Sequence, residues 1–399
     1  MAFDIDGLLQ FATKNDVSDV FLKTGAPPTV RVNGSVKQLN NPPMTNEEIE
    51  GIGKMMMSGD KWLEFEKHPD YDLSYVIPDV ARFRVNVYRE RGGCAMVLRV
   101  VQLKIRPFDQ LGLPDVLADL TRHHDGLVLV TGPTGSGKST TLAAMVDLIN
   151  REKSGHIVTI EDPIEYVHPD RNCIVSQREI GIDTNAFGDA LRASLREAPD
   201  VILVGELRDQ ETMAICLQAA ETGHLVFSTL HTASAAESME RILSMFQPHE
   251  KALVQQRLSK TLRGIISQKL LPTVDGKGRV CAVEVLNVSP TVAQYIEEGR
   301  TGQIYPAIKE GASQWKMQTM NMALDRHAKD GKITQETALE FSSLRSELRQ
   351  MMRLDEKKTG VAAAGDDTDA MGPGGANAVN APDNPIAAYV NAQASGAAG

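Results

Sequence analysis

The sequence predicts an α/β protein built around a parallel sheet, with a smaller α/β unit before it and a disordered tail after it. Three observations carry this. Between residues 115 and 287 short apolar runs alternate with helical patterns, which implies strand–helix–strand units and a parallel sheet. The preceding hundred residues hold their own short alternating strands. From Gly360 the chain is mostly Ala, Gly, Asn, Asp and Pro, with one aromatic (Tyr389) and no Lys or Arg. Such a segment buries too little apolar surface to offset its ordering entropy.

The expected divisions are a first unit over 1–103, a linker over 104–114, a parallel-sheet domain over 115–355 and a tail over 356–399. In the first unit, Leu8 to Thr13 reads as a short apolar helix. Val20-Phe21-Leu22 and Val30-Arg31-Val32 read as strands around the turn Gly25 to Pro28. Asn33-Gly34 is a hairpin signal. Asn46 to Phe65 reads as one helix, Arg82 to Tyr88 alternates as a half-buried strand, and Ala95 to Val101 is its expected partner. Pro107 and Pro114 punctuate the linker.

In the second domain the strand runs are Gly126 to Thr131, His156 to Ile160, Val201 to Val204 and Leu225 to Ser228. From Thr291 to Arg353 the pattern is helical. Met317, Met320 and Leu324 recur at helix spacing, Gly331 reads as a helix stop and Thr334 as an N-cap.

Composition narrows the function. The 399 residues carry a net charge of −10, of which Asp366, Asp367, Asp369 and Asp383 in the tail supply four. An acidic chain without a long Lys/Arg run argues against a nucleic-acid binder. The four cysteines are far apart with no Cys-x-x-Cys pair, so neither zinc nor a disulfide framework is expected. The first residues lack a basic region, so no signal peptide is expected. The apolar runs are too short to span a bilayer.

The chemistry starts at Gly132-Pro133-Thr134-Gly135-Ser136-Gly137-Lys138-Ser139-Thr140, between a strand and a helix. This is a phosphate-binding loop in its required context. Its glycines let backbone N–H groups face phosphate oxygens, and the helix N-terminus adds partial positive charge. Lys138 is expected on the β- and γ-phosphates of ATP, and the Ser139 hydroxyl on Mg²⁺.

Three further motifs follow. Glu161, in Ile160-Glu161-Asp162-Pro163-Ile164-Glu165, ends a strand, where a parallel sheet places ligands. It is a candidate general base, with a surface turn at Asp162-Pro163 as the plainer reading. Glu206, in Val201 to Asp209, follows an apolar strand with Gly205 at the usual Asp position. It is a candidate for the Mg²⁺ shell, or else an ion pair with Arg208. His224 and His231 flank the run Leu225 to Ser228. A histidine near the γ-phosphate can sense it, and His224 is the one expected to do so. Arg82, Arg84, Arg91 and Arg99 are dense for a small strand-rich unit. They read as surface salt bridges or as arginines supplied to a neighbour's phosphoryl group.

Together these motifs resemble the type II/IV secretion ATPases, and within them the twitching-motility retraction ATPases of type IV pili. The likeness runs from about Leu8 to Arg353. It includes Ser18-Asp19, Gly25-Ala26-Pro27-Pro28 and Arg82-Phe83-Arg84-Val85-Asn86, besides the phosphate loop, Glu161 to Tyr166, Gly205 to Asp209 and Glu221 to His224.

The resemblance implies a PAS-like first domain, a RecA-like second domain and a cytoplasmic homohexamer. This hexamer would act at an inner-membrane platform protein to withdraw pilin, with a paralogous PilT-type ATPase as a further partner. It implies Glu161, Glu206 and His224 as catalytic residues, with Arg82 and Arg99 contacting nucleotide. Paired Cys-x-x-Cys ligands, typical of the extension type, are absent. The stretch Thr291 to Arg300 lacks both arginines of the PilT C-terminal retraction motif, Phe21 stands where PilT-like chains often have His, and Asp275 to Arg279 is PilU-like. The expectation therefore leans to PilU. An alternative role is a nucleotide-binding accessory subunit to a paralogous motor.

Overall fold

In this computed structural model, residues 3–359 are described apart from positions 16, 33, 58, 79 and 102–104, with side chains as far as Arg353. The chain divides into two compact units between residues 103 and 104.

The first unit contains α1 (Ile5–Lys14), β1 (Val17–Lys23), β2 (Thr29–Val32), β3 (Ser35–Gln38), α2 (Asn46–Met56), α3 (Gly59–Lys67), β4 (Asp70–Ile77), β5 (Ala81–Glu90) and β6 (Gly93–Val101). Its six strands run in the order β3-β2-β1-β6-β5-β4, and each neighbouring pair is antiparallel. Alternation on β5 buries Phe83, Val85 and Val87 in one core with Leu8, Leu9, Trp62 and Phe65. Arg82 and Arg84 fall on the other face of the strand by its period of two.

The expected single helix over Asn46 to Phe65 is two. The backbone turns extended at Met57 (φ −104°, ψ 145°), with no Gly or Pro at that residue to announce it. The β2–β3 hairpin is present, with Val32 opposite Ser35, although Asn33 itself lies outside the described residues.

The second unit holds α4 (Val116–Thr121), β7 (Gly126–Thr131), α5 (Lys138–Glu152), β8 (Gly155–Glu161), β9 (Cys173–Glu179), α6 (Phe187–Ser194), β10 (Val201–Val204), α7 (Gln210–Glu221), β11 (Leu225–Leu230), α8 (Ala235–Ser244) and α9 (Lys251–Thr261). Then come β12 (Leu262–Pro272), β13 (Arg279–Asn287), α10 (Pro290–Glu297), α11 (Ile304–Glu310), α12 (Met320–Lys329), α13 (Gln335–Phe341) and α14 (Arg345–Thr359).

The sheet order is β13-β12-β7-β11-β10-β8-β9, parallel throughout except for the β12–β13 pair. Its central strands are apolar on both faces, as a sheet covered on both sides requires. Leu127 and Leu129 of β7 join a core with α7, α8 and α9. Val128 and Val130 join another with α4 and α5. A third cluster packs α12, α13 and α14 against Leu271 and Ala282.

Within the expected linker, Phe108 and Leu113 pack, partly buried, against the α4–α5 cluster. Two expectations are corrected here. Met317 precedes α12 rather than lying on it, and its neighbour Gln318 bridges to Val285. The last helix reaches Thr359, so residues 356–359 are helical rather than tail. Gly331 (φ +66°) follows the end of α12, and the Thr334 side chain caps α13. Among the described residues no helix is long and apolar enough to cross a membrane.

Candidate active site

The site forms where β7, β8, β10 and β11 end, the carboxyl edge of a parallel sheet, where such sheets bind ligands. A cleft of about 470 Å³ opens there, lined by the phosphate loop, Glu161, Glu206, Arg208 and His231.

The loop leaves β7 at Thr131 and enters α5 at Lys138. A Cβ at Gly132 (φ +140°) would lie 2.5 Å from the Gln268 carbonyl oxygen and 2.6 Å from Ser136 Oγ, so only glycine fits. Gly137 (φ +91°) caps α5 without a side-chain hydrogen bond. The first N–H groups of the helix are thus uncapped by any side chain at that position. Lys138 Nζ donates to the Gly132 and Pro133 carbonyls at 2.9 and 3.2 Å. Burial holds this ammonium below its usual pKa, while Glu206 and Glu165 pull it upward. Ser136 Oγ is buried and has no partner.

Glu161 is the last residue of β8. Its Oε1 accepts from Thr159 Oγ1 at 2.7 Å and from Gln177 Nε2 at 3.1 Å. Burial pushes its carboxyl pKa up, against the lowering effect of these hydrogen bonds. A carboxylate so placed can take a proton from water.

Gly205 donates its N–H to the Ile160 carbonyl at 2.8 Å, and a Cβ there would lie 3.4 Å from the Glu161 Cα. Glu206 Oε2 accepts from Arg208 Nε at 2.9 Å, and Oε1 lies 3.2 Å from His231 Nε2. The expected alternative of an ion pair with Arg208 is therefore realised, and it lies inside the cleft. Arg208 also approaches Asp162 at 3.7 Å.

His224 lies away from this cleft. It precedes β11, at the amino edge of the sheet. Its Nδ1 bonds the Ala219 carbonyl at 2.9 Å and its own carbonyl accepts from Gly126 N at 3.0 Å. β11 pairs with β7 from Leu225↔Gly126 to Leu230↔Thr131. His224 is thus a strand length, roughly 20 Å at about 3.3 Å per residue, from the phosphate loop of its own protomer. His168 lines the cleft, and so does His231 at the other end of β11. Strand direction was the signal that could have chosen His231.

Arg82 and Arg99 belong to the first unit. Arg82 Nε donates to Ser74 Oγ at 3.0 Å. Arg99 pairs with Asp19 at 2.9 Å and remains 63% exposed. Sequence reasoning also missed Gln177 and Thr159, which meet Glu161, and Arg279, which lines the cleft from β13.

The donor set fits the group it would hold. Ser139 and Glu206 offer hard oxygens suited to Mg²⁺, which commonly takes one or two protein ligands beside phosphate oxygens. The loop's N–H groups suit phosphate.

The profile of the family described as "Type II/IV secretion system protein" matches residues 2–353. The chain belongs to this family. It is 45% identical over 341 residues to the type IV pilus retraction ATPase PilT of Pseudomonas aeruginosa, covering 86% of this chain and 98% of that protein. It is 38% identical over 351 residues to the type IV pilus ATPase PilU of the same organism, covering 88% and 92%. A crystal structure of the pilus retraction motor PilT with bound ADP superposes with a TM-score of 0.82 at 45% identity, covering 88% of this chain and 100% of that one.

As a type II/IV secretion ATPase, the chain binds nucleotide and hydrolyses ATP. Its RecA-like second unit and the small α/β unit before it match the PilT fold. The lean toward PilU is not carried by the identities, which are 45% to PilT and 38% to PilU.

Proposed function

We propose that this chain hydrolyses ATP with Mg²⁺ to drive type IV pilus retraction, as a cytoplasmic homohexamer working on an inner-membrane platform protein. The observation that supports this best is the meeting of Lys138, Glu161, Glu206 and His231 in one cleft at the carboxyl edge of the sheet. Names of relatives, PilT and PilU, supply the pilus.

In this reading the loop from Gly132 to Thr140 cradles the phosphates through backbone N–H groups. Lys138 leaves its own loop carbonyls for the β- and γ-phosphates. Ser139 would hold Mg²⁺ directly and Glu206 would hold its water shell, and an ion so held would supply charge neutralisation to the transferring phosphoryl group. Glu161 takes a proton from water as the water oxygen attacks phosphorus and the bond to the ADP oxygen breaks. Arg208 holds Glu206 until nucleotide arrives, and His231 donates toward the γ-phosphate. Arg82 and Arg99 act across the boundary to the next subunit, where arginines stabilise the transferring group.

A cell lacking this chain tests the proposal. Wild-type protein restores withdrawal of labelled pili, and Lys138→Ala does not. Equal restoration by both contradicts the motor reading. A mass of six chains by size-exclusion light scattering is expected, and a stable monomer under turnover contradicts the ring.

The accessory reading has one observation behind it. Thr291 to Arg300, which includes most of α10, lacks both retraction-motif arginines. Purified protein that binds ATP without turnover would favour it.

A further inference from the structure

Glu161 owes its orientation to two residues with no assigned role. β8 and β9 run parallel with Thr159 opposite Gln177 and Glu161 opposite Glu179. A strand's period of two puts Thr159 and Glu161 on the same face, beside Gln177. Both side-chain donors then converge on one oxygen. Thr159 Oγ1 reaches Glu161 Oε1 at 2.7 Å, and Gln177 Nε2 reaches the same atom at 3.1 Å.

Gln177 has no freedom to turn its amide over. Its Nε2 also donates to the Tyr166 carbonyl at 2.9 Å, and its Oε1 accepts the His168 N–H at 2.7 Å. A flipped amide would face an N–H with an NH₂ group and a carbonyl with an oxygen, losing these hydrogen bonds. Thr159 is fully buried, so its hydroxyl cannot turn to bulk water instead.

A carboxylate offers about four lone-pair directions, two on each oxygen. Thr159 and Gln177 fill those of Oε1. The two directions on Oε2 are left.

We propose that Thr159 and Gln177 are positioning residues for ATP hydrolysis: by saturating Oε1 they present Oε2 of Glu161 to the attacking water. This rests on the reading of Glu161 as the general base. The clamp explains why β9, an edge strand with a polar centre, reaches the site at all. It also ties the base to the 166–168 segment, which lines the cleft beside α5.

The test is steady-state hydrolysis by Thr159→Val, Thr159→Ser, Gln177→Leu and Glu161→Gln. Affinity for a fluorescent ATP analogue is measured on each. Valine keeps the shape of threonine and loses only the donor, whereas serine keeps the donor. Misplaced catalytic groups cost up to about a hundredfold. Thr159→Val and Gln177→Leu are therefore expected to lower kcat by roughly tenfold to a hundredfold, with KM and analogue affinity within about twofold of wild type. Thr159→Ser should retain most of kcat.

Wild-type rates in both Thr159→Val and Gln177→Leu, beside an inactive Glu161→Gln, overturn the clamp and leave the base reading standing. Equal losses in Thr159→Ser and Thr159→Val overturn it too, because packing rather than the donor would then be responsible. A fully active Glu161→Gln removes the base reading and the clamp with it. Should Thr159→Val fail to fold, Gln177→Leu on the neighbouring strand carries the same decision.

Discussion

The two ends of β11 carry histidines with opposite surroundings. His231, at the carboxyl end, faces Glu206 across 3.2 Å in the nucleotide cleft. His224, at the amino end, is tied to the Ala219 carbonyl at 2.9 Å and closes the turn after α7. Both flank the same apolar run and look equivalent as letters. The difference is direction: a parallel sheet gathers its chemistry at one edge only. Glu161 ends its strand, and Glu206, His231 and the phosphate loop follow the ends of theirs.

Breaking the comparison at the active edge should give the larger effect. His231→Asn is expected to lower kcat by roughly a hundredfold to a thousandfold, the range for losing one donor to developing charge. Nucleotide affinity should remain, as read by a fluorescent analogue. Unchanged kcat removes His231 from the reaction.

His168, in the same cleft, sharpens the contrast because it is buried, and burial depresses its imidazole from 6.5 to about 4. The folded state refuses a proton that the unfolded chain accepts below about 6.5. Stability is therefore present above that pH and is lost as pH falls toward 4. The loss amounts to at most about 3 kcal/mol. Thermal melts of wild type and His168→Phe between pH 7 and 4 should show the shallower decline in the variant. Parallel curves contradict the assignment.

The smallest effect belongs to the other edge. His224→Ala should cost about 1 kcal/mol of stability, one hydrogen bond's worth, with turnover within about twofold of wild type. A fall in kcat as large as that of His231→Asn would instead place His224 at a site shared between protomers.

How much of this was legible beforehand follows from the same physics. β7 and the phosphate loop announce themselves, because a buried apolar strand running into a glycine loop and a helix has few other readings. β8, β10 and β11 were legible as apolar runs. β9 was not, since Ser176, Gln177 and Arg178 interrupt it at the sheet edge. Nor were β12 and β13; on β12, Ser267 meets Thr131 of β7, Gln268 meets Thr141 of α5 and Lys269 meets the Phe341 carbonyl. Those polar breaks hid the strands and are where the site's supporting residues lie. The break after Met57 has only Gly59 to mark it, and helical periodicity ran across it. His224 was expected near the γ-phosphate from spacing alone, and strand direction places it at the amino edge of its own sheet.

The central claim is that Glu161 activates water in a nucleotide-loaded cleft. Steady-state ATP hydrolysis by purified wild type and Glu161→Gln, with ATP affinity measured on both, tests it most directly. The account predicts a loss of at least roughly a hundredfold in turnover with ATP still bound. Hydrolysis by Glu161→Gln near the wild-type rate would contradict it.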